Sequence, residues 1–535
     1  MGRSISSTCT QMIIDFEESK LDLYLADICI IGAGIATYSI LSVLKDTPAR
    51  IIIVERGSMN TDIEKEQFKT CEITGHPFAG HVAGREFSVG GTSVTWGGQS
   101  LPYTPIDVEN KKWVKNSGWP ISYEEISRYY PDAERLLNLD EVPYDVELHK
   151  LQRLPKLDLD ESALQCHFSK WSPRPNLKND LTGICAHSEQ ITLMQNAYCI
   201  QLIKHENHDK INEIEIQSKG GQRSRVKADK FILSAGGIEN ARILLMSAPL
   251  IRHHTFVGKM FQDHPTAQVA TIEATNDKKL QAYFNYFFKG ETRFLPRISM
   301  TSQYQQQEKL LAATAFVQFI PPPGGLFEAL KGIYRSFARM KMPAKKEFYN
   351  VFKNLIEINT LAKTASSYLV HRRIYTPRST ARLTIMLEQE PITESYIALS
   401  EKPDPMGLPI AQIHWTFTSL TIETLRRFCA EIESNFRKLK LGEIKWDAWI
   451  KKSDDEIRNN LIDAYHHMSS TRMSHTIESG VVDTNCKMHG VDNLYIAGSS
   501  VFSTTGHSNP TLTIMALAIR LAHYLKSDLI TVHDE

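Results

Sequence analysis

The chain has 535 residues, room for several domains at roughly 100–200 residues each. Its 61 basic and 61 acidic side chains cancel to a formal net charge of +0, which argues against holding nucleic acid or another polyanion by bulk electrostatics. With 42% hydrophobic and 23% charged residues the composition is that of a folded chain, and no run of about 18 uncharged apolar residues predicts a membrane-crossing helix.

The N-terminus, MGRSISSTCTQ, has no apolar core of the kind a secretory signal needs. MGRSIS fits the loose N-myristoylation pattern, which is too short to outweigh coincidence. Eight cysteines (Cys9, Cys29, Cys71, Cys166, Cys185, Cys199, Cys429, Cys486) are scattered with no C-x-x-C pair, so neither a disulfide scaffold nor a zinc ribbon is expected. These features predict a cytoplasmic protein. No group of histidines has zinc-ligand spacing, and no metal site is predicted.

The first strong element runs from Ala26 to Gly57. Ile28–Ile31 reads as a parallel strand buried on both faces, and glycines follow at once. Ile35, Tyr38, Leu41 and Leu44 then have helical spacing, and a second apolar run, Ile51–Val54, ends in Glu55. Strand, glycine turn, helix, strand and acid form a complete βαβ unit. Gly32 and Gly34 let the backbone approach a pyrophosphate, which would rest on the first helical amides at Ile35 and Ala36. Glu55 is placed to accept from a ribose diol. The third fingerprint position is Thr37 in place of Gly or Ala, a departure predicted to push helix and strand slightly apart. The pattern predicts an adenine dinucleotide and leaves NAD and FAD equally open.

A Gly- and Trp-rich stretch, Val89–Gln99, comes next. Ile121–Leu139 reads as one helix, opened by Ser122 with Glu125 in a capping box. Short alternating runs between 191 and 229 suggest a β meander. Lys230–Ser234 is a buried strand that meets Ala235-Gly236-Gly237 and a helix, Glu239–Met246. From Gln268 to Trp415 β-rich runs enclose a helical insertion, Leu326–Leu369. Residues 331–346 of that insertion carry Lys331, Arg335, Arg339, Lys341, Lys345 and Lys346 and no acid. This run could meet a membrane surface, but a solvated basic helix face interrupted by Pro343 is the favoured reading. A last strand, glycine and helix occupy residues 493–525.

Several strings in this order resemble the glucose–methanol–choline (GMC) oxidoreductases, FAD-dependent enzymes that act on alcohols. They are the N-terminal fingerprint, VGGTSVTWGGQSLPYTPID (Val89–Asp107), LSAGGIENARILL (Leu233–Leu245), VGKMFQDHP (Val257–Pro265), YHHMSSTRM (Tyr465–Met473) and HGVDNLYIAGSSVFSTTGHSNPTLTIMALAIRLA (His489–Ala522). The flavour is similar to the bacterial branch of pyranose oxidase and fructose dehydrogenase. The resemblance implies an α/β fold, α+β overall: a Rossmann-like FAD-binding domain built from discontinuous segments, plus a β-sheet substrate domain with a helical insertion. Its expected boundaries are 22–110, 190–265 and 480–526 for the three parts of the FAD domain. Residues 111–189 would be a connecting and lid region, and 266–479 the substrate-binding domain.

By the same resemblance the cofactor is FAD, touched by Gly90, Gly91, Thr92, Ser93, Gly98, Ala235, Gly236, Gly498 and Ser499 besides the fingerprint residues. Asn509, Pro510 and Thr511 would open the last helix toward the flavin. Relatives that tether the flavin do so through a His before the Trp of the G-G-T-S motif; Thr95 stands there, which implies a non-covalent cofactor.

The implied reaction is oxidation of a CH–OH carbon to a carbonyl by hydride transfer to flavin N5. His466 would act as base and Asn509 would hold the substrate oxygen. His467 is the immediate rival of His466, because neighbours in an extended segment point to opposite sides. Asn509 could also serve simply as an N-cap. His507 is a candidate pocket wall, and His264 reads as a structural turn residue. Ser469-Ser470 replaces the family's Gly-Thr. The favoured donor is a sugar or polyol. A sterol or other hydrophobic alcohol is the alternative, as is a flavoprotein with little turnover. The motifs leave open whether oxygen, a quinone or a cytochrome takes the electrons, and the oligomeric state.

Overall fold

The computed structural model describes residues 12–60, 67–323, 332–333, 342–353 and 358–533. Two large sheets organise them.

The first sheet gathers strands from the start, middle and end of the chain. Its parallel part runs Ile13–Asp15, Ile191–Gln195, Ile51–Val54, Leu23–Ile31 and Arg223–Leu233. The all-apolar ICII and IIIV runs are buried throughout, as a strand covered on both faces requires. Arg223–Leu233 does double duty. Its first half pairs antiparallel with Ile211–Gln217, which pairs in turn with Tyr198–Lys204; its last three residues pair parallel with Leu494–Ile496. The expected meander thus holds only three of the strands between 191 and 229, because Ile191–Gln195 joins the parallel part. Ile31, Val54 and Leu233 are in register, so the turns after them gather at one carboxyl edge. The helix Ile35–Leu44 packs along the C-terminal helix Thr511–His533 beside this edge.

The second sheet is antiparallel, in the order Gly442–Trp446, Thr266–Ala274, Thr380–Leu387, Ala313–Ile320, Thr292–Met300, Leu164–Trp171 and Gln99–Ser100, with Phe287–Lys289 also paired to Thr292–Met300. The long helix Ser419–Leu439 buries Ile422, Leu425, Phe428, Ile432 and Phe436 in the core behind it. Leu164–Trp171, which falls in the stretch expected to be connector and lid, is an interior strand of this sheet.

Other expectations need adjustment. The helix expected over Ile121–Leu139 is two, Tyr123–Ser127 and Tyr130–Leu136. Pro131 sits in the first turn of the second, where it needs no N–H partner, but it cannot continue the first. The capping box of Ser122 and Glu125 is formed. Most of the insertion, including the greater part of the basic run 331–346, lies outside the described residues; its described helices are Lys345–Lys353 and Ile358–His371. Among the described residues no helix is long and apolar enough to cross a membrane.

Candidate active site

A cavity of about 790 Å³ opens where the glycine turns meet the second sheet, within the usual range for small-molecule sites. Its wall includes Gly32, Gly34, Ile35, Ala36, Glu55, Gly91, Thr92, Ser93, Ala235, Gly236, Gly498, Ser499, Asn509, Pro510 and Thr511, together with His466 and His467. Three of the expected site residues do not line it. Gly90 gives its N–H to the Ala33 carbonyl and so supports the turn from behind. The Gly98 carbonyl accepts from Ser172 N, tying it to the second sheet. His507 is buried against Ser299 and His167.

The glycine end has the shape a dinucleotide requires. Gly32 has φ +105°, and a Cβ there would lie 2.5 Å from the Ser234 carbonyl oxygen. Gly34 is the N-cap of the helix Ile35–Leu44 with no side chain capping it, which leaves the first amides for an anion. Thr37 does not wedge helix from strand as expected. Its buried hydroxyl donates to the Gly32 carbonyl at 2.7 Å and lies 3.0 Å from Ser234 Oγ, tying the turn to the neighbouring strand end. Glu55 is buried and accepts from the amides of Ala33 and Gly57, which aims its carboxylate at the turn. Nearby Glu239 meets three guanidiniums. Burial pushes its pKa up, yet Arg242, Arg56 and Arg85 hold it down to about 2.

The chemical end is built on a pair of histidines. His466 and Asn509 are brought together, with Asn509 Nδ2 3.4 Å from His466 Nε2. The backbone around His466 is clamped by buried Asp263, whose carboxylate accepts from the amides of Ala464 and His466 at 3.0 and 2.9 Å. His264, expected to be only a turn residue, lies against His466: its Nδ1 is 2.8 Å from His466 Nδ1. His264 Nε2 faces the carbonyls of Thr505 and Gly506 at 3.3 and 3.1 Å, so that nitrogen must carry the proton. Burial pushes its pKa down to about 4, so the ring is neutral and its Nδ1 is an acceptor. His466 therefore donates from Nδ1, and its lone pair falls on Nε2, beside Asn509. Burial, with His264, His467 and Arg297 nearby, keeps the His466 pKa well below the ordinary histidine value.

His467 turns away from this pair. Its ring packs among Phe78 and Phe261, and burial and Arg85 push its pKa down to about 3. Its carbonyl accepts from the Ser499 hydroxyl. Asn509 is not the cap of the last helix, since it is the Pro510 carbonyl that accepts from Ile514 N. The Asn509 side-chain oxygen instead accepts from Arg297 at 3.2 Å, which fixes the amide with its NH2 toward His466. Ser469 adopts φ +71°, where the family pattern has glycine, and its hydroxyl accepts from Gln262 at 2.6 Å. The Ser470 hydroxyl donates to the Gly237 carbonyl. The Ser-Ser departure is thus taken up by hydrogen bonds. Sequence reading missed Arg297 altogether; the only signal for His264 was its place in the QDHP string.

A glycine cradle at the carboxyl edge of a parallel sheet, sharing one cavity with a neutral histidine and an oriented amide, defines a nucleotide-dependent oxidoreductase. Two models of the GMC oxidoreductase family match, the N-terminal one over residues 177–266 and the C-terminal one over residues 391–518. Over these two stretches the chain is a GMC oxidoreductase, and it is an FAD-dependent enzyme acting on the CH–OH group of its donors.

Among curated proteins, 2-methyl-1,2-propanediol dehydrogenase of Mycolicibacterium austroafricanum is 21% identical over 498 residues, covering 84% of this chain and 82% of that protein. C-glycoside 3-oxidase of Microbacterium trichothecenolyticum is 26% identical over 155 residues, 29% of this chain and 28% of that one. Among solved structures, a formate oxidase variant from Aspergillus oryzae RIB40 aligns over 94% of this chain and 98% of its own, with TM-score 0.54 and 15% identity. Pyridoxine 4-oxidase from Mesorbium loti aligns over 94% and 99%, with TM-score 0.56 and 14% identity. These two likenesses establish the fold.

Proposed function

We propose that the protein oxidises a carbinol of a small polyhydroxylated alcohol, with His466 taking the hydroxyl proton and Asn509 holding the oxygen. The observation that carries this reading is the 3.4 Å approach of Asn509 Nδ2 to His466 Nε2 on the wall of the cavity that the glycine turns also line. FAD, when bound, supplies the acceptor for the hydride that leaves the carbinol carbon. The chain supplies the rest. His466 presents a lone pair at Nε2, and His264 holds the proton of the same ring at Nδ1. Asn509, its oxygen occupied by Arg297, has only donors to offer the substrate.

Polar side chains that line the cavity, among them Gln99, Gln268, Gln318 and Thr384, offer hydrogen-bond partners for several hydroxyls. A diol dehydrogenase and a C-glycoside oxidase among the relatives point the same way. Thr95 on the cavity wall offers no nucleophilic ring for a tether, which supports a non-covalent flavin. The test is anaerobic bleaching of the holoenzyme by a panel of sugars, polyols and sterols. Bleaching by polyols, and release of the yellow chromophore into the supernatant on acid precipitation, are expected. Bleaching by sterols alone would overturn the substrate class, and a yellow pellet the non-covalent assignment.

A further inference from the structure

Among the described residues, one cation in the cavity wall has no anion. Arg297, on the strand Thr292–Met300, is 1% exposed and lines the cavity with His466 and Asn509. Its Nε donates to Ser169 Oγ at 3.3 Å, its Nη2 to Asn509 Oδ1 at 3.2 Å, and the guanidinium lies 5.1 Å from the centre of the Phe316 ring. Nη1 has no hydrogen-bond partner. Burial lowers its pKa to about 10, and no carboxylate acts to raise it, so it stays charged at neutral pH. The acids that do line the cavity are engaged elsewhere: Glu55 with the amides of Ala33 and Gly57, Glu86 with Lys69, and Glu239 with Arg85 and Arg242.

A buried guanidinium without a counterion is costly, and a site that keeps one is built to be completed by an anion. The geometry points to a carboxylate on the substrate: Arg297 binds an anionic group close to the carbinol that His466 deprotonates, and the donors are hydroxy acids, polyhydroxylated sugar acids included. This rests on the reading of the site as an alcohol oxidase or dehydrogenase. A monoanion is the match, because the side chains that touch Arg297 (Ser169 behind it, Phe316 and Asn509 beside it) are neutral and add no second charge for a phosphate dianion. The carboxylate makes and breaks no bond. The carbinol carbon still loses hydride to FAD and its hydroxyl still loses a proton to His466, leaving an oxo acid.

The experiment compares glycerate and gluconate with glyceramide and gluconamide, which keep the carbinols and remove the charge, as donors to the anaerobic holoenzyme. The acids are expected to exceed the amides in kcat/KM by at least about tenfold, the worth of one charge-assisted hydrogen bond. Arg297→Gln should collapse that ratio toward one, and Arg297→Lys should keep part of it, with FAD content reporting that each variant is folded. A second arm uses propionate, a monoanion that has no carbinol. It should perturb the bound-flavin spectrum of the parent protein and bind at least about tenfold more weakly to Arg297→Gln. Amides used as well as acids, a ratio that survives Arg297→Gln, or propionate binding indifferent to it would overturn the inference. Failure of every donor to bleach the flavin would instead overturn the alcohol reading, and the propionate arm would still decide the subsite.

Discussion

A buried base must be neutral, in the right tautomer and within reach of the proton it takes. His466 meets the first condition through burial and the second through His264, whose own proton is fixed by two carbonyls. His466→Ala should slow flavin reduction by at least about a hundredfold, measured by anaerobic stopped flow. Because the His466 pKa lies well below the ordinary value of about 6.5, the base form persists under mild acid. The rate of flavin reduction should therefore stay level as pH falls from about 8 through about 6.5 and decline only below that. A half-maximal rate at about pH 6.5 or above would show an exposed, ordinary imidazole. His264 is a positioning residue and its test is rescue. His264→Leu removes the acceptor for His466 Nδ1–H and should cost about tenfold or more in reduction rate, whereas His264→Gln, which can accept through its oxygen, should recover most of it. Equal rates in the two variants would mean that His264 only fills space.

At the scale of elements, the glycines divide into those the fold needs and those the ligand needs. A Cβ on Gly237 would drive into the His467 carbonyl, so Gly237→Ala must displace the segment carrying both histidines, an overpacking cost of about 1–3 kcal/mol. Gly34 has φ −93° and nothing within 4 Å of where its Cβ would stand, yet it lines the cavity. Gly34→Ala should therefore leave the melting temperature of the FAD-free protein unchanged while weakening FAD binding, and Gly237→Ala should lower both. Equal losses of stability would refute the distinction.

The same division explains what could be read beforehand. The strand Ile51–Val54, the helix Glu239–Met246 and the turn after Ile31 declare themselves through short-range apolar patterning and glycine punctuation. The neighbours His264 and His466 are 202 positions apart, and no periodicity links them. Arg297 looks like any strand residue until the sheet closes over it. Pro131 stands in plain view in the sequence, and its ring forbids the single long helix that apolar spacing alone suggests.

Across the whole molecule, the site forces many neutral imidazoles into the interior, and that has a consequence for stability in acid. Burial, the largest cause for each, takes the pKa of His254 and His264 down to about 4 and of His467 and His507 down to about 3, and holds His167 and His466 well below the ordinary value. In the unfolded chain all six titrate near about 6.5. Between that pH and about 4 the unfolded state binds more protons, so stability is complete above about 6.5 and is lost as pH falls. Glu390 and Asp263 oppose the trend: burial and Glu388 push the Glu390 pKa up to about 7, and burial and Asp463 push that of Asp263 well above the usual carboxylate range, so each takes its proton first in the folded state and offsets one histidine. Each unbalanced proton is worth about 1.4 kcal/mol per pH unit once the unfolded histidines are charged. The melting temperature of the holoenzyme should therefore drop by several degrees between about pH 7 and about pH 5.5, a range above the titration of ordinary carboxylates. His507→Gln, which removes one buried imidazole outside the cavity wall, should make that drop shallower. A melting temperature that holds level or rises over this interval would mean that the interior histidines are already charged, and with them the imidazole on which the proposed chemistry depends.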